Sequence, residues 1–210
     1  KYQELANAYQ TYEDLKIKEG LMDFSDLISN VLVLFRTRKS ILKQYQNQFK
    51  YLLVDEYQDT NIAQNELVKL LAGEKKNLTV VCDDDQAIYK WRGASVSNVL
   101  QFRKSFPKAK LVVLTKNYRS TQEILNRSYD LIQYNNPDRL EVKEKIDKKL
   151  ISERRIKGEK ITFAHLDRVE NEADWVARKI KELTSMYDFK DFAILVRANF
   201  HAEVFTRSLS

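Results

Sequence analysis

The chain has 210 residues, 43% of them hydrophobic and 31% charged, with a net charge of +6. This balance is that of a folded globular chain, and no apolar run in these residues approaches the ~18–20 residues of a membrane span. Cys82 is the only cysteine, which excludes an internal disulfide and fits a reducing cytoplasm. The basic excess suits a polyanionic partner without identifying one. Four glycines and two prolines favour long elements with short connections.

Residues 1 to about 18 place Leu5, Ala8, Tyr9, Tyr12 and Leu15 at helical spacing, closed by Gly20. A second helix follows from Met22, with Leu27, Ile28, Val31, Leu34 and Phe35 on its predicted inner face. Tyr51 to Val54 reads as a short strand, Asn61 to Ala72 as a helix, and Leu78 to Cys82 as a second buried strand. Ser95 to Phe106 reads as a helix and Leu111 to Thr115 as a third strand. This alternation predicts parallel pairing with right-handed crossovers. Ser120 to about Gln133 is a predicted helix, with Ser120 as N-cap and Glu123 completing a capping box. Residues 135–138 form a turn cluster, and the charged stretch 141–160 reads as an exposed connection. Ile161 to Leu166 and Phe192 to Val196 are predicted strands. Between them lies an amphipathic helix, Glu170 to Leu183, burying Ala173, Val176, Ala177 and Ile180, and a last helix starts near His201. The pattern predicts an α/β chain in which a new unit begins at about residue 116. It begins with Lys and ends inside a periodic apolar segment, so a piece of a longer chain is expected.

The chemistry concentrates at strand ends. Asp55 and Glu56 follow the apolar run Tyr51-Leu52-Leu53-Val54, at the carboxyl edge where open α/β sheets bind ligands. Asp55 can hold a magnesium ion, and Glu56 can polarise a water that attacks a γ-phosphate. The competing reading is an acidic strand-to-helix turn, with Asp59 and Thr60 as N-cap candidates. The second strand runs into Asp83-Asp84-Asp85-Gln86, which parallel pairing lays beside Asp55 and Glu56. Gln86 both donates and accepts, as a sensor of the γ-phosphate or its attacking water requires. Tyr89, Trp91 and Arg92 suit the stacking of unpaired bases, although Trp91 also reads as a large core residue. Arg119, before a helix, can reach a phosphate across a cleft or serve as a surface salt-bridge residue. His201 reads as a surface residue at a helix start.

Together these segments resemble superfamily 1 DNA helicases of the UvrD/Rep/PcrA branch, which move 3′ to 5′ on single strands. DEYQDTN at 55–61 resembles motif II, DDDQAIYKWRGA at 83–94 motif III, and LTKNYRS at 114–120 motif IV. Asp23-Phe24-Ser25-Asp26-Leu27 resembles the segment before motif II, and Phe192 to Asn199 the segment called motif IVa. The resemblance implies P-loop NTPase (RecA-like) parallel sheets. Residues 1–48 would be a helical segment, 49–116 the later half of one motor domain and 117–210 the first half of a second. It implies ATP and magnesium, with Asp55 on the metal, Glu56 activating water and Gln86 coupling γ-phosphate status to the DNA-contacting loop. Tyr118 would lie on adenine and Arg119 would contact the γ-phosphate. Tyr89, Trp91, Arg92, Arg197 and Asn199 would contact DNA. Expected partners are single-stranded DNA and duplex junctions, in a bacterial cytoplasm, in repair or replication.

Three departures qualify the resemblance. Cys82 stands where the family has Gly. Asn199-Phe200-His201-Ala202-Glu203 stands for N-x-Q-S-R, replacing an Arg by an acid. No G-K-T or G-K-S tripeptide exists, so the phosphate-cradling loop is missing and the chain alone is expected not to hydrolyse ATP usefully. Unpaired sheet edges would favour self-association. A non-catalytic DNA-binding scaffold with a degenerate core, and the helicase part of a recombination helicase-nuclease, are the alternatives.

Overall fold

Helix α1 (Tyr2–Glu19) ends where Gly20 turns into the left-handed region at φ +66°, which a residue without Cβ enters at no steric cost. In this computed structural model, which describes residues 2–88 and 96–210, Asp23 then caps α2 (Phe24–Thr37). Its carboxylate accepts from the Ser25 and Asp26 N–H groups at 2.8 and 3.0 Å, and Asp26 accepts from the Asp23 N–H at 2.9 Å. Such a box is worth about 1 kcal/mol. Buried Lys16 on α1 ion-pairs with Asp23 at 3.1 Å, Asp26 at 2.8 Å and Glu13 at 2.9 Å. The Asp-Phe-Ser-Asp-Leu segment is therefore a helix start clamped to its predecessor.

Helix α3 (Lys39–Gln48) follows a break at Arg38. Strand β1 (Leu52–Val54), α4 (Ile62–Ala72) and β2 (Leu78–Val80) form the predicted β-α-β unit. The strands pair in parallel, Leu52 with Leu78 and Val54 with Val80. Asn61, not Asp59 or Thr60, caps α4: its side chain accepts from the Gln64 N–H at 2.8 Å, and Gln64 returns the bond at 2.9 Å. Gln46 on α3 donates to the Leu70 carbonyl at 2.7 Å, and a Cβ at Gly73 would meet that amide at 2.7 Å. Glycine there leaves room for the Gln46 bond, and its φ of +50° suits a residue without Cβ.

Several predicted details change. The apolar stripe of α1 (Leu5, Tyr9, Tyr12, Leu15) is exposed, and on α2 Leu32 and Phe35 are buried while Leu27 and Leu34 are exposed. The helix expected over 95–106 is two short ones, α5 (Val96–Leu100) and α6 (Phe102–Ser105), parted at Gln101. Residues 111–115 form no strand. The ladder forms just beyond them, where β3 (Lys116–Asn117) pairs in parallel with β4 (Ile151–Ser152). Helix α7 (Gln122–Ile132) starts after Thr121, without a side-chain cap. The Asn117 carboxamide takes the Ser120 N–H at 2.8 Å, and Glu123 pairs with Arg127 at 3.1 Å, so the expected Ser120–Glu123 box does not form. The stretch expected as an exposed connection over 141–160 is partly structured: α8 (Leu140–Glu144) and β4 lie in the first unit, and 153–160 is the mostly exposed segment that crosses into the second.

The chain divides into two compact units, residues 1–155 and 156–210; the predicted change at about 116 falls within the first. In the second unit, α9 (Val169–Leu183) packs on α10 (Ala202–Leu209), with Ala173 buried and the Ser208 hydroxyl donating to Asp174 at 2.7 Å. The strands expected over 161–166 and 192–196 have no ladder among the described residues, though 192–196 alternates half-buried and exposed side chains. Alternation encodes a buried face, but a strand exists only where a neighbour takes its backbone bonds.

Candidate functional site

At the carboxyl end of β1 the ladder runs on for one more bond, from the Val81 N–H to the Val54 carbonyl at 2.8 Å. The chain then turns. Asp55 accepts from the Glu56 N–H at 3.0 Å, and Glu56 adopts φ 48°, ψ 42°. A left-handed residue with a Cβ costs about 1–2 kcal/mol, and such strain gathers at functional positions. Both carboxylates are exposed. The turn Tyr57–Asp59 that follows is held from below. Tyr57 is 1% exposed, its N–H donates to the Val81 carbonyl at 3.0 Å, and its hydroxyl donates to Asn65 at 2.5 Å. Asn65 donates to Asn98 at 2.9 Å, and Asn98 donates to the Thr60 carbonyl at 2.9 Å. Burial pushes the Tyr57 phenol up to about 12, so it stays a donor. Every member of this buried set is paired, which gives a polar network its rigidity.

Gln58 is also 1% exposed. Its Nε2 donates to Glu56 Oε2 in a short bond, and its Oε1 accepts from the Asp83 N–H at 3.0 Å. Asp83 Oδ2 in turn accepts from Gln86 Nε2 at 2.7 Å. A continuous path thus joins the Glu56 carboxylate to the Gln86 side chain, as parallel pairing of their strands predicts. Gln58 itself escaped sequence reasoning, because a glutamine in a turn reads as solvated. Its one signal was its place between residues already singled out.

Asp83, Asp84 and Asp85 bring carboxylate oxygens within 4.8 Å of one another. The Lys148 ammonium bonds all three, at 2.8, 2.5 and 2.9 Å. Arg139, 3% exposed, grips Asp85 through two bonds of 2.7 and 2.8 Å and lies 2.6 Å from Glu141. The Leu140 N–H donates to Asp84 at 2.6 Å. Burial alone pulls the Lys148 pKa down, but its three carboxylate partners win and hold it above the usual lysine value. Burial likewise opposes ionisation of Asp85, and Arg139 and Lys148 outweigh it, so the carboxyl titrates below its ordinary value. A protein ammonium occupies the position that a cation bound to this triplet would need. Neither Lys148 nor Arg139 was foreseen, since both lie in a stretch of dense charge with nothing to distinguish them.

The other predicted residues fall elsewhere. Tyr118 and Arg119 leave the end of β3 exposed, and no bond among the described residues joins them to the Glu56–Gln86 path. The Arg119 N–H donates to Asn117 at 3.0 Å, its carbonyl accepts from Arg154 at 3.1 Å, and its guanidinium makes no ion pair among the described residues. The expected surface salt bridge is thus not seen. Tyr89, Trp91 and Arg92 lie outside the described residues. Arg197 and Asn199 are exposed in the second unit, where Asn199 opens the turn Asn199–His201. Glu203 lies 3.8 Å from Arg207. Cys82 is half-buried, and burial followed by Asp84 pushes its thiol up to about 11, so at neutral pH it is a neutral packing group.

Residues 1–107 match the family model of the UvrD/REP helicase N-terminal domain. The chain belongs to the UvrD/REP helicase family. Residues 112–210 match the UvrD-like helicase C-terminal domain, so in this UvrD/REP helicase chain the two family models meet just ahead of β3. The chain is 42% identical over 207 residues to the ATP-dependent DNA helicase PcrA of Leuconostoc citreum, covering 98% of this chain and 27% of that protein. It is 41% identical over 203 residues to the ATP-dependent DNA helicase PcrA of Staphylococcus aureus (strain Mu50), covering 96% of this chain and 27% of that protein. The PcrA helicase of Staphylococcus epidermidis is 40% identical over 211 residues. The chain therefore spans about a quarter of the length of these relatives. No helix among the described residues is long and apolar enough to cross a membrane.

Proposed function

We propose that the protein carrying this chain is an ATP-dependent 3′-to-5′ DNA helicase, coupling ATP hydrolysis to movement along single-stranded DNA and duplex unwinding in repair or replication. The observation that carries the reading is the hydrogen-bonded path from Glu56 through Gln58 and Asp83 to Gln86, at the carboxyl end of a parallel strand pair. Residues 49–116 would be the later half of one RecA-like motor domain and 117–210 the first half of another, with 1–48 leading in.

Glu56 accepts the proton of the attacking water, and Gln86 orients that water and the γ-phosphate. Asp55 fits a magnesium ion: one oxygen takes the Glu56 N–H, and the other has no partner among the described residues, leaving a hard anionic donor free. Bound magnesium would neutralise phosphate charge there. Tyr118 stacks on adenine and Arg119 reaches the γ-phosphate, both exposed and without a side-chain hydrogen bond or ion pair among the described residues. Tyr89, Trp91 and Arg92 stack on bases, and Arg197 and Asn199 hold the DNA backbone. The sequence contains no G-K-T or G-K-S tripeptide, so the 210 residues alone should bind and hydrolyse ATP poorly.

The test is single-strand-stimulated ATPase of the intact protein. Glu56→Gln should lower turnover by about 10²–10⁴-fold, the range of general-base catalysis, and leave ATP binding in place. Turnover at the native rate would reject the reading.

A further inference from the structure

We infer that Gln58 is a positioning residue for the hydrolytic step: its side-chain amide locks the Glu56 carboxylate to the segment that carries Gln86. The inference rests on the proposed role of Glu56 as the base. Gln58 is a long polar side chain 1% exposed in the turn that follows β1, where an apolar residue would be the ordinary filling. Both ends of its amide are spent. One donates to the Glu56 carboxylate, and the other accepts from the Asp83 backbone N–H at 3.0 Å. Asp83 then holds the Gln86 amide at 2.7 Å.

The chemistry selects glutamine. A donor and an acceptor must stand on one planar group, and an amide carries both whatever the pH, unlike an imidazole or a carboxyl. An ionised glutamate would accept from Asp83 but repel Glu56, and only its neutral acid, favoured beside a second carboxylate, would donate in place of the amide. An asparagine is one methylene short. Glu56 needs the restraint because its carboxylate is exposed and its backbone sits in the left-handed region at φ 48°. A charge-assisted bond from a buried donor commits Oε2 and leaves Oε1 without a hydrogen-bond partner among the described residues. The same bond ties Glu56 to the Asp83 backbone, so a displacement of the Gln86 segment reaches the base through a rigid, desolvated group.

The test uses the intact protein with Gln58→Glu, which keeps the size and the Asp83 contact, and Gln58→Met, which keeps only the size, alongside Glu56→Gln. The readouts are kcat and KM for ATP in single-strand-stimulated hydrolysis, and the melting midpoint. A positioning role predicts kcat lower by about 10–100-fold in both Gln58 variants, as for an ångström-scale misplacement of a reacting group, with KM unchanged and the fold retained. Where Gln58→Met fails to fold, Gln58→Glu decides alone, read at a pH high enough to ionise both carboxyls. Native kcat in Gln58→Met, or in Gln58→Glu at that pH, overturns the inference. So does a loss of kcat matched by a rise in KM and a fall in melting midpoint, or failure of both variants to fold, since either marks Gln58 as structural support only. A dead Glu56→Gln beside an unimpaired Gln58→Glu rejects the positioning alone. An active Glu56→Gln rejects the base and the positioning together.

Discussion

The Glu56–Gln86 region and the second unit are built on opposite terms. Around Glu56, short strands are laddered, and buried polar side chains fasten the turn: Tyr57 to Asn65, Asn65 to Asn98, Gln58 to Asp83. In residues 156–210, two amphipathic helices pack on one another, while the segment leading to Arg197 and Asn199 alternates in burial without a ladder. Both regions carry residues that the family resemblance singles out. Among the described residues, only the first has hydrogen bonds that specify where those side chains point. Apolar packing brings elements together, whereas directional bonds fix the geometry that chemistry needs.

The sharpest way to break the contrast is to remove its central cation. Lys148→Met removes the one cation shared by three carboxylates that lie within reach of one another, and loss of a partly buried partner of this kind costs about 2–3 kcal/mol. Denaturant unfolding should show that loss, while Lys143→Met, which removes an exposed pair with Asp138, should change stability by less than about 0.5 kcal/mol. Equal effects would deny that the acidic triplet differs from any surface ion pair.

A smaller effect separates backbone strain from side-chain bonding at Glu56. Glu56→Gly and Glu56→Ala both lose the Gln58 partner, so their difference isolates the left-handed backbone. The glycine variant should be more stable by about 1 kcal/mol, read from melting midpoints, and both should fail to turn over ATP. The second unit is probed through DNA instead. Arg197→Ala should weaken single-strand binding without changing stability, and lower the salt slope of log K by about one phosphate contact. An unchanged slope would remove Arg197 from the interface.

The mildest test concerns pH. The Asp26 N–H, followed by Lys16, holds the Asp23 carboxyl down at about 2, below the ordinary aspartate value of 3.8. A depressed folded-state pKa means that this contribution is fully present above about pH 4 and is lost as pH falls toward 2. Amide exchange at the start of α2 should rise over that window, and Asp23→Asn should flatten the rise.

Much of this was legible in the sequence because it depends on neighbours along the chain. Period, caps and apolar runs marked α1, α4, α9 and the parallel β1–β2 pair, and the order of acids, amide and aromatics marked the family. Asp55, Glu56 and Gln86 were legible as types at strand ends. Gln58, Lys148 and Arg139 were not, because their meaning comes from partners 25, 63 to 65 and 54 residues away. The strands expected at 111–115, 161–166 and 192–196 failed for the same reason.

What the residues determine alone is local: which segments coil, which turns close, and which side chains carry charge or donors to a strand end. What only the folded chain decided is the pairing, namely which carboxylates share Lys148, which strand Lys116 and Asn117 join, and which carboxylate the buried Gln58 amide holds. Hydrogen bonds and ion pairs act over about 3 Å, and distance along the sequence says little about distance in space.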